Sequence, residues 1–274
     1  MIKFYDSIKQ MRQHALDVDA VNTPIIRATE NSWFNNETAE ETLDKTLYGD
    51  KTLVPKAIAA LNKLDTQIET PRHEWRPSVV GAFPSVPDAI MGRPTPMRAL
   101  TQIPNANTPV TLGIMLTSTW SVSCETIANR GIATLALLLA LTRIRPVTLY
   151  AINISYGKDT GEDVRFVRIN TNPLDIATAA YALTSAGFYR RLIYGIAERT
   201  NGFDGAWPAC HGFDYNRPRP YIDGLISRCG FDKTSTLIVP PAMDGDAMLK
   251  DPLNWVQHQI TRFLTVNADE IEGY

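Results

Sequence analysis

Cysteine is scarce in this chain: three in 274 residues, Cys124, Cys210 and Cys229, far apart and odd in number. With no CxxC pair, a disulfide framework and a paired-thiolate metal site are both excluded, and a reducing compartment is expected. Long apolar runs are also lacking. The longest, over 131–141, stops at Thr142 and Arg143, well short of the roughly 20 residues a bilayer requires, so it reads as a buried helix and no membrane partner is expected. The N-terminus, MIKFYDSIKQ, has no apolar stretch of the kind a secretion signal needs. No Walker-type loop, GxGxxG, HExxH or GxSxG occurs. The expectation is a non-enzymatic protein without a cofactor.

What is present describes a folded domain. Hydrophobic residues make up 44% and charged residues 20%, enough apolar material for a substantial core and too little charge for a disordered chain. The charge is unevenly placed. Residues 1–70 carry 8 basic and 11 acidic side chains, 71–230 carry 16 and 11, and 231–274 carry 3 and 7. The basic residues of the middle stretch are all arginine except Lys158. A guanidinium adds a stacking face and a forked donor to its charge, which suits phosphate and base contacts; the alternative is that these arginines are structural.

Residues 1–70 form a helical N-terminal region by pattern. Phe4, Ile8, Met11 and Ala15 fall near helical spacing, Thr38–Glu41 fits a capping box for a helix to 46 or 47, and a third helix runs from Val54 to about 68 with Pro55 in its first turn. Residues 71–108 hold seven prolines, which disfavour regular structure and predict a segment wrapping across the body. Over 109–265 strands and helices alternate: a strand at 110–116, a helix at 124–142, strands at 147–154 and 164–169 joined as a hairpin, a helix opening at Asn172-Pro173 and running to about 199 with Gly187 a possible break, a strand at 234–239, and a helix capped by Asp251-Pro252 to about 264. This is an α/β order: a sheet flanked by helices in three layers, with an antiparallel edge hairpin. Residues 266–274 form an acidic tip.

Candidate binding residues are aromatic and arginine clusters. Residues 207–221 place Trp207, Phe213, Tyr215, Arg217, Arg219 and Tyr221 in a stretch whose Gly and Pro content argues against a helix. Rings that stack on bases beside guanidiniums that hold phosphates are the means by which single-stranded nucleic acid is bound. Tyr189, Arg190 and Arg191, and Trp75 with Arg76, repeat the composition. The alternative is that the rings fill the core and the arginines tie loop carbonyls. Cys210 and His211 are neighbours that rarely face one another on a loop, and Asp244 and Asp246 fit turn chemistry as well as a shared cation.

Two resemblances add to this. The strand and helix order over 109–265 resembles the von Willebrand factor A fold, whose Asp-x-Ser-x-Ser metal motif would fall on Thr117, Thr119 and Ser121, with Thr117 in place of the carboxylate, and whose later Asp-Gly would fall on Asp244-Gly245. The resemblance implies an adaptor that binds a protein, an ATPase among the options, at the top of its sheet. The blocks at 33–36, 53–56 and 75–87, with the acidic tip Asp269, Glu270, Glu272 and Tyr274, resemble tailed-phage proteins, in particular the single-stranded DNA-binding cofactors by which podoviruses recruit their RNA polymerase. That resemblance implies single-stranded DNA and an RNA polymerase or replication protein as partners, the tip as the protein contact, and the cytoplasm of a bacterial host as the location.

Overall fold

The computed structural model describes residues 1–65, 74–101, 109–118, 121–143, 145–157, 161–201, 218–241 and 247–265. Its frame is a five-stranded mixed sheet built from β1 (Ile2–Tyr5), β5 (Val110–Met115), β6 (Val147–Gly157), β7 (Gly161–Ile169) and β8 (Thr236–Val239), in the order β1-β7-β6-β5-β8. β5 runs parallel to β6 and β8, β6 and β7 form an antiparallel hairpin, and β1 lies parallel to β7. The expected α/β class and edge hairpin are therefore present. The hairpin is not the edge, because β1 covers it.

Both faces of the sheet are buried, which is why the strands read as continuous apolar runs. Along β5, Val110, Leu112 and Ile114 face one core with α1 (Ile8–Asp17), α6 (Cys124–Thr142) and α7 (Ile176–Thr184). Met115 faces the other, with Ile152, Phe166 and the apolar side of α9 (Pro218–Arg228). By length and composition α6 is apolar enough to cross a membrane, and here about two thirds of it is buried within the fold. It packs tightly on α7: a Cβ at Gly131 would stand 2.2 Å from the carbonyl oxygen of Leu183.

Several sequence expectations change. Phe4 belongs to β1, and the helix begins only at Ile8, where Ser7 Oγ accepts from the backbone N–H of Gln10. Strand pairing with β7 overrides the apolar spacing that suggested an earlier start. α3 (Ala39–Tyr48) opens with the expected capping box, Thr38 and Glu41 satisfying one another's backbone groups, and α4 (Val54–Asp65) follows. The proline-rich stretch contains regular structure: β2 (Glu74–Ser78), β3 (Phe83–Pro84) and β4 (Met97–Thr101) form a separate antiparallel sheet in the order β2-β4-β3, with the short α5 (Val86–Ile90) between β3 and β4. Pro77 and Pro84 lie on its outer strands, where a missing N–H is tolerated.

Asp175, not Asn172, caps α7, accepting from the backbone of Ala177 and Thr178. The helical stretch after it breaks at Ser185, two residues before Gly187, then widens into a π-helical turn over Phe188–Ile193 before α8 (Tyr194–Asn201). Within the stretch expected to lack a helix, α9 starts at Pro218, with prolines confined to its first turn. α10 (Ala247–Lys250) and α11 (Pro252–Thr265) close the described chain.

Candidate functional site

The π-helical turn decides where the arginine cluster goes. It lies among Phe188, Leu192 and Ile193, all fully buried, so side chains on every side of it enter the protein. Tyr189, Arg190 and Arg191 are each buried, and none can stack on a base or meet a phosphate in solvent. This corrects their assignment to a nucleic-acid surface. Tyr189 Oη accepts from the backbone N–H of Ser118 at 3.3 Å. Arg190 donates to the carbonyl oxygens of Trp33 at 3.0 Å and Val122 at 2.6 Å, and its guanidinium lies 4.7 Å from the Trp33 ring. Arg191 donates to Asn31 Oδ1 and to the carbonyl oxygen of Glu37, and covers the Phe34 ring at 4.0 Å. The two arginines fasten residues 31–37, and Arg190 joins that segment to 122–124. Burial pushes both guanidinium pKa values down.

The remaining candidates divide into three groups. Arg219 is exposed but forms an ion pair with Asp223 one turn along α9, Nε to Oδ1 3.1 Å. Tyr221 donates to Glu162 Oε1 at 2.5 Å, and Arg228 pairs with the same carboxylate while standing 5.7 Å from the Tyr221 ring. Burial alone would raise the Glu162 pKa, but hydrogen bonds from Arg228 and Tyr221 hold it below the usual carboxylate range. Arg219 thus remains exposed beside a solvent-screened partner, and Tyr221 is engaged through its hydroxyl. Trp75 and Arg76 sit on β2 opposite Leu100 and Ala99 of β4, and their side chains lie outside the described residues. So do Trp207, Cys210, His211, Phe213, Tyr215, Arg217, Thr119, Asp244, Asp246, Asp269, Glu270, Glu272 and Tyr274.

What the fold does bring together is a crevice of about 620 Å³ at the C-terminal end of β5, where the chain turns into α6. One wall is the segment from Ala28 to Trp33. The other is Ser121 to Cys124, and Arg190 lies between them. Ser123 caps α6 by accepting from the backbone of Thr126, the local reason the helix starts there. Cys124 Sγ lies 3.5 Å from the carbonyl oxygen of Ser32 and 3.6 Å from that of Trp33, holding the walls together. The rim carries small polar groups: Ser32, Ser121 and Ser123 are exposed, with Trp33 half-buried beside them. Ser121 is one of the motif hydroxyls at which the von Willebrand A-like resemblance places a partner, whereas Trp33 and residues 122–124 had no binding role in the sequence reading. The signal available was a Ser cap opening the most apolar helix of an α/β unit, where ligands bind beyond the strand ends.

The first position of the von Willebrand A-like motif, Thr117, is engaged within the sheet. Thr117 is buried, its hydroxyl accepts from the N–H of Ile154 at 2.7 Å and lies 3.2 Å from that residue's carbonyl oxygen, and so it extends the β5–β6 pairing. Among the described residues no group of three or more His, Cys, Asp or Glu side chains could hold a metal. A second concavity of about 540 Å³ lies along β8 between α9 and α11, lined by Ile222, Leu237, Trp255 and His258 among others.

Fold and crevice together define an α/β domain with an open recess at the carboxyl end of a central strand. The chain belongs to a family of domains of unknown function, DUF7192, whose model matches residues 1–220. Neither a curated protein nor a solved structure matches it significantly.

Proposed function

We propose that this protein is a non-enzymatic adaptor that docks a protein partner across the top of its mixed sheet, in the crevice beside Ser121. The observation that carries the reading is the crevice itself: a half-buried Trp33 ringed by the small exposed hydroxyls of Ser32, Ser121 and Ser123, an aromatic anchor within a polar rim, as protein interfaces have. The parallel trio β6-β5-β8 and the β6–β7 hairpin support the von Willebrand A-like architecture on which this adaptor reading draws. Burial of Tyr189, Arg190 and Arg191 speaks against the competing proposal of single-stranded DNA binding, which now rests on Trp75, Arg76, Trp207, Phe213, Tyr215, Arg217, Arg219 and Tyr221.

The test is a photo-crosslinking side chain at Ser121, with Lys233 as an exposed control position on another part of the surface, in cells producing the full chain. Crosslinking of one discrete protein from Ser121 and not from Lys233 is expected. In parallel, fluorescence anisotropy with single-stranded and duplex oligonucleotides at two salt concentrations should show no salt-dependent binding. Tight single-strand binding whose affinity falls steeply with salt, together with no Ser121 crosslink, would reverse the assignment.

A further inference from the structure

The concavity along β8 is built from groups that the fold itself does not use. β8 is an edge strand of the sheet. The N–H of Thr111 donates to the carbonyl oxygen of Ser235 at 2.9 Å, and the parallel register sets Thr111 opposite Thr236 and Leu112 opposite Leu237. This alternation turns the main-chain groups of Leu237 and Val239 toward β5 and those of Thr236 and Ile238 outward, toward the gap between α9 and α11. The Thr236 side chain is 2% exposed, and its hydroxyl has no hydrogen-bond partner among the described residues. A buried polar group without a partner marks a place where one is missing.

Around this floor the lining divides by chemistry. Ile222 and Ile226 of α9 and Leu237 supply apolar surface, and the half-buried Trp255 of α11 adds an aromatic ring. His258, one turn further along α11, makes no side-chain hydrogen bond among the described residues. The other ionisable side chains of the lining are Arg219, Asp223 and Lys233. Arg219 pairs with Asp223. Lys233 is exposed and has no ion pair among the described residues. Its neighbour Asp232 lies outside the lining, held by the hydroxyls of Thr234 and Ser235. The concavity therefore sets one uncompensated positive charge beside apolar and aromatic surface.

Those features specify an occupant. The volume of about 540 Å³ falls within the roughly 300–1,000 Å³ of small-molecule sites. The apolar walls and Trp255 suit a flat apolar body, and the Lys233 ammonium suits an acid group at one end of it. The outward main-chain groups of β8 suit its remaining polar atoms. We propose that this concavity binds a small organic acid with a flat aromatic body, at a site separate from the Ser121 crevice. Anilinonaphthalene sulfonate, titrated into the full chain at neutral pH and followed by its fluorescence, should occupy one saturable site whose affinity falls as salt is raised. Phenylnaphthylamine, the same rings without the sulfonate, should bind about tenfold more weakly. Lys233→Glu should weaken the sulfonate about tenfold and leave the neutral amine unchanged, with an unchanged thermal unfolding midpoint because the position is exposed. Gln259→Trp, which enlarges a half-buried side chain of the lining, should exclude both probes, whereas Lys250→Glu, an exposed charge reversal outside the lining, should affect neither. No saturable binding, equal affinities for the two probes, or a sulfonate affinity that Lys233→Glu or Gln259→Trp leaves unchanged would each overturn the inference. None of these results touches the Ser121 crosslink of the adaptor reading, so the two proposals fail separately.

Discussion

Removing the Arg190 side chain tests the role that the fold gives it. The guanidinium is 1% exposed and makes two charge-assisted hydrogen bonds to main-chain carbonyls, each worth about 1.5–3 kcal/mol, or ~3–6 kcal/mol gross. Against this stands the desolvation of the cation, which lowers its pKa and which truncation relieves; the effective penalty for a buried ion is several kcal/mol. Lost stacking on Trp33 and the space left behind add to the cost. A net loss of about 2–4 kcal/mol is expected for Arg190→Ala, and less, ~1–3 kcal/mol, for Arg190→Met, which keeps most of the volume but still strands the carbonyls of Trp33 and Val122. Urea unfolding followed by tryptophan fluorescence measures both, with Arg219→Ala as control. That exposed i, i+4 pair should be worth no more than about 0.5 kcal/mol. If Arg190→Ala and Arg219→Ala shift the midpoint equally, Arg190 does not fasten the walls of the crevice and the reasoning fails.

Two further outcomes follow from close contacts elsewhere. Gly131→Ala should destabilise the fold by about 1–3 kcal/mol in the same urea assay despite alanine's higher helix propensity, because its methyl group would enter the Leu183 carbonyl on α7; a more stable variant would show that α6 and α7 can part freely. Glu162 has a folded pKa below its ordinary value, so its contribution to stability is complete above the unfolded carboxylate pKa of about 4.3 and is lost as pH falls through the lower folded value. Thermal unfolding from neutral pH down to about pH 3 should show wild type ahead of Glu162→Gln near neutrality and the two curves converging in acid; parallel curves would remove the Arg228 and Tyr221 hydrogen bonds as the cause.

The sequence was most legible where local chemistry and tertiary demand agree. The Thr38–Glu41 capping box, the strand at Val110 and the apolar helix from Cys124 appear where periodicity puts them. β1 was missed because Ile2–Tyr5 is a strand only by virtue of β7, 160 residues away, and no four-residue pattern reveals such a neighbour. The small sheet of 74–101 was missed because proline counts against strands on average, whereas Pro77 and Pro84 occupy outer strands where the missing donor costs little.

The site was less legible, for a reason that lies in arginine itself. The planar fork that suits a phosphate suits a pair of backbone carbonyls equally well, so the run Phe188-Tyr189-Arg190-Arg191 fits either use by composition. Its surroundings separate the two. The stretch from Ala177 to Ala197 has apolar side chains on every side of the helix axis, and such a helix lies inside a protein. Arginines embedded in it go inside as well, where they must find acceptors, and the acceptors nearest in the fold are the carbonyls of 31–37 and Val122. Residues that looked like a surface for an external anion thus become the struts of an internal wall. That wall leaves Trp33 and the Ser121–Cys124 turn facing one another across an open crevice, the arrangement from which the adaptor reading starts.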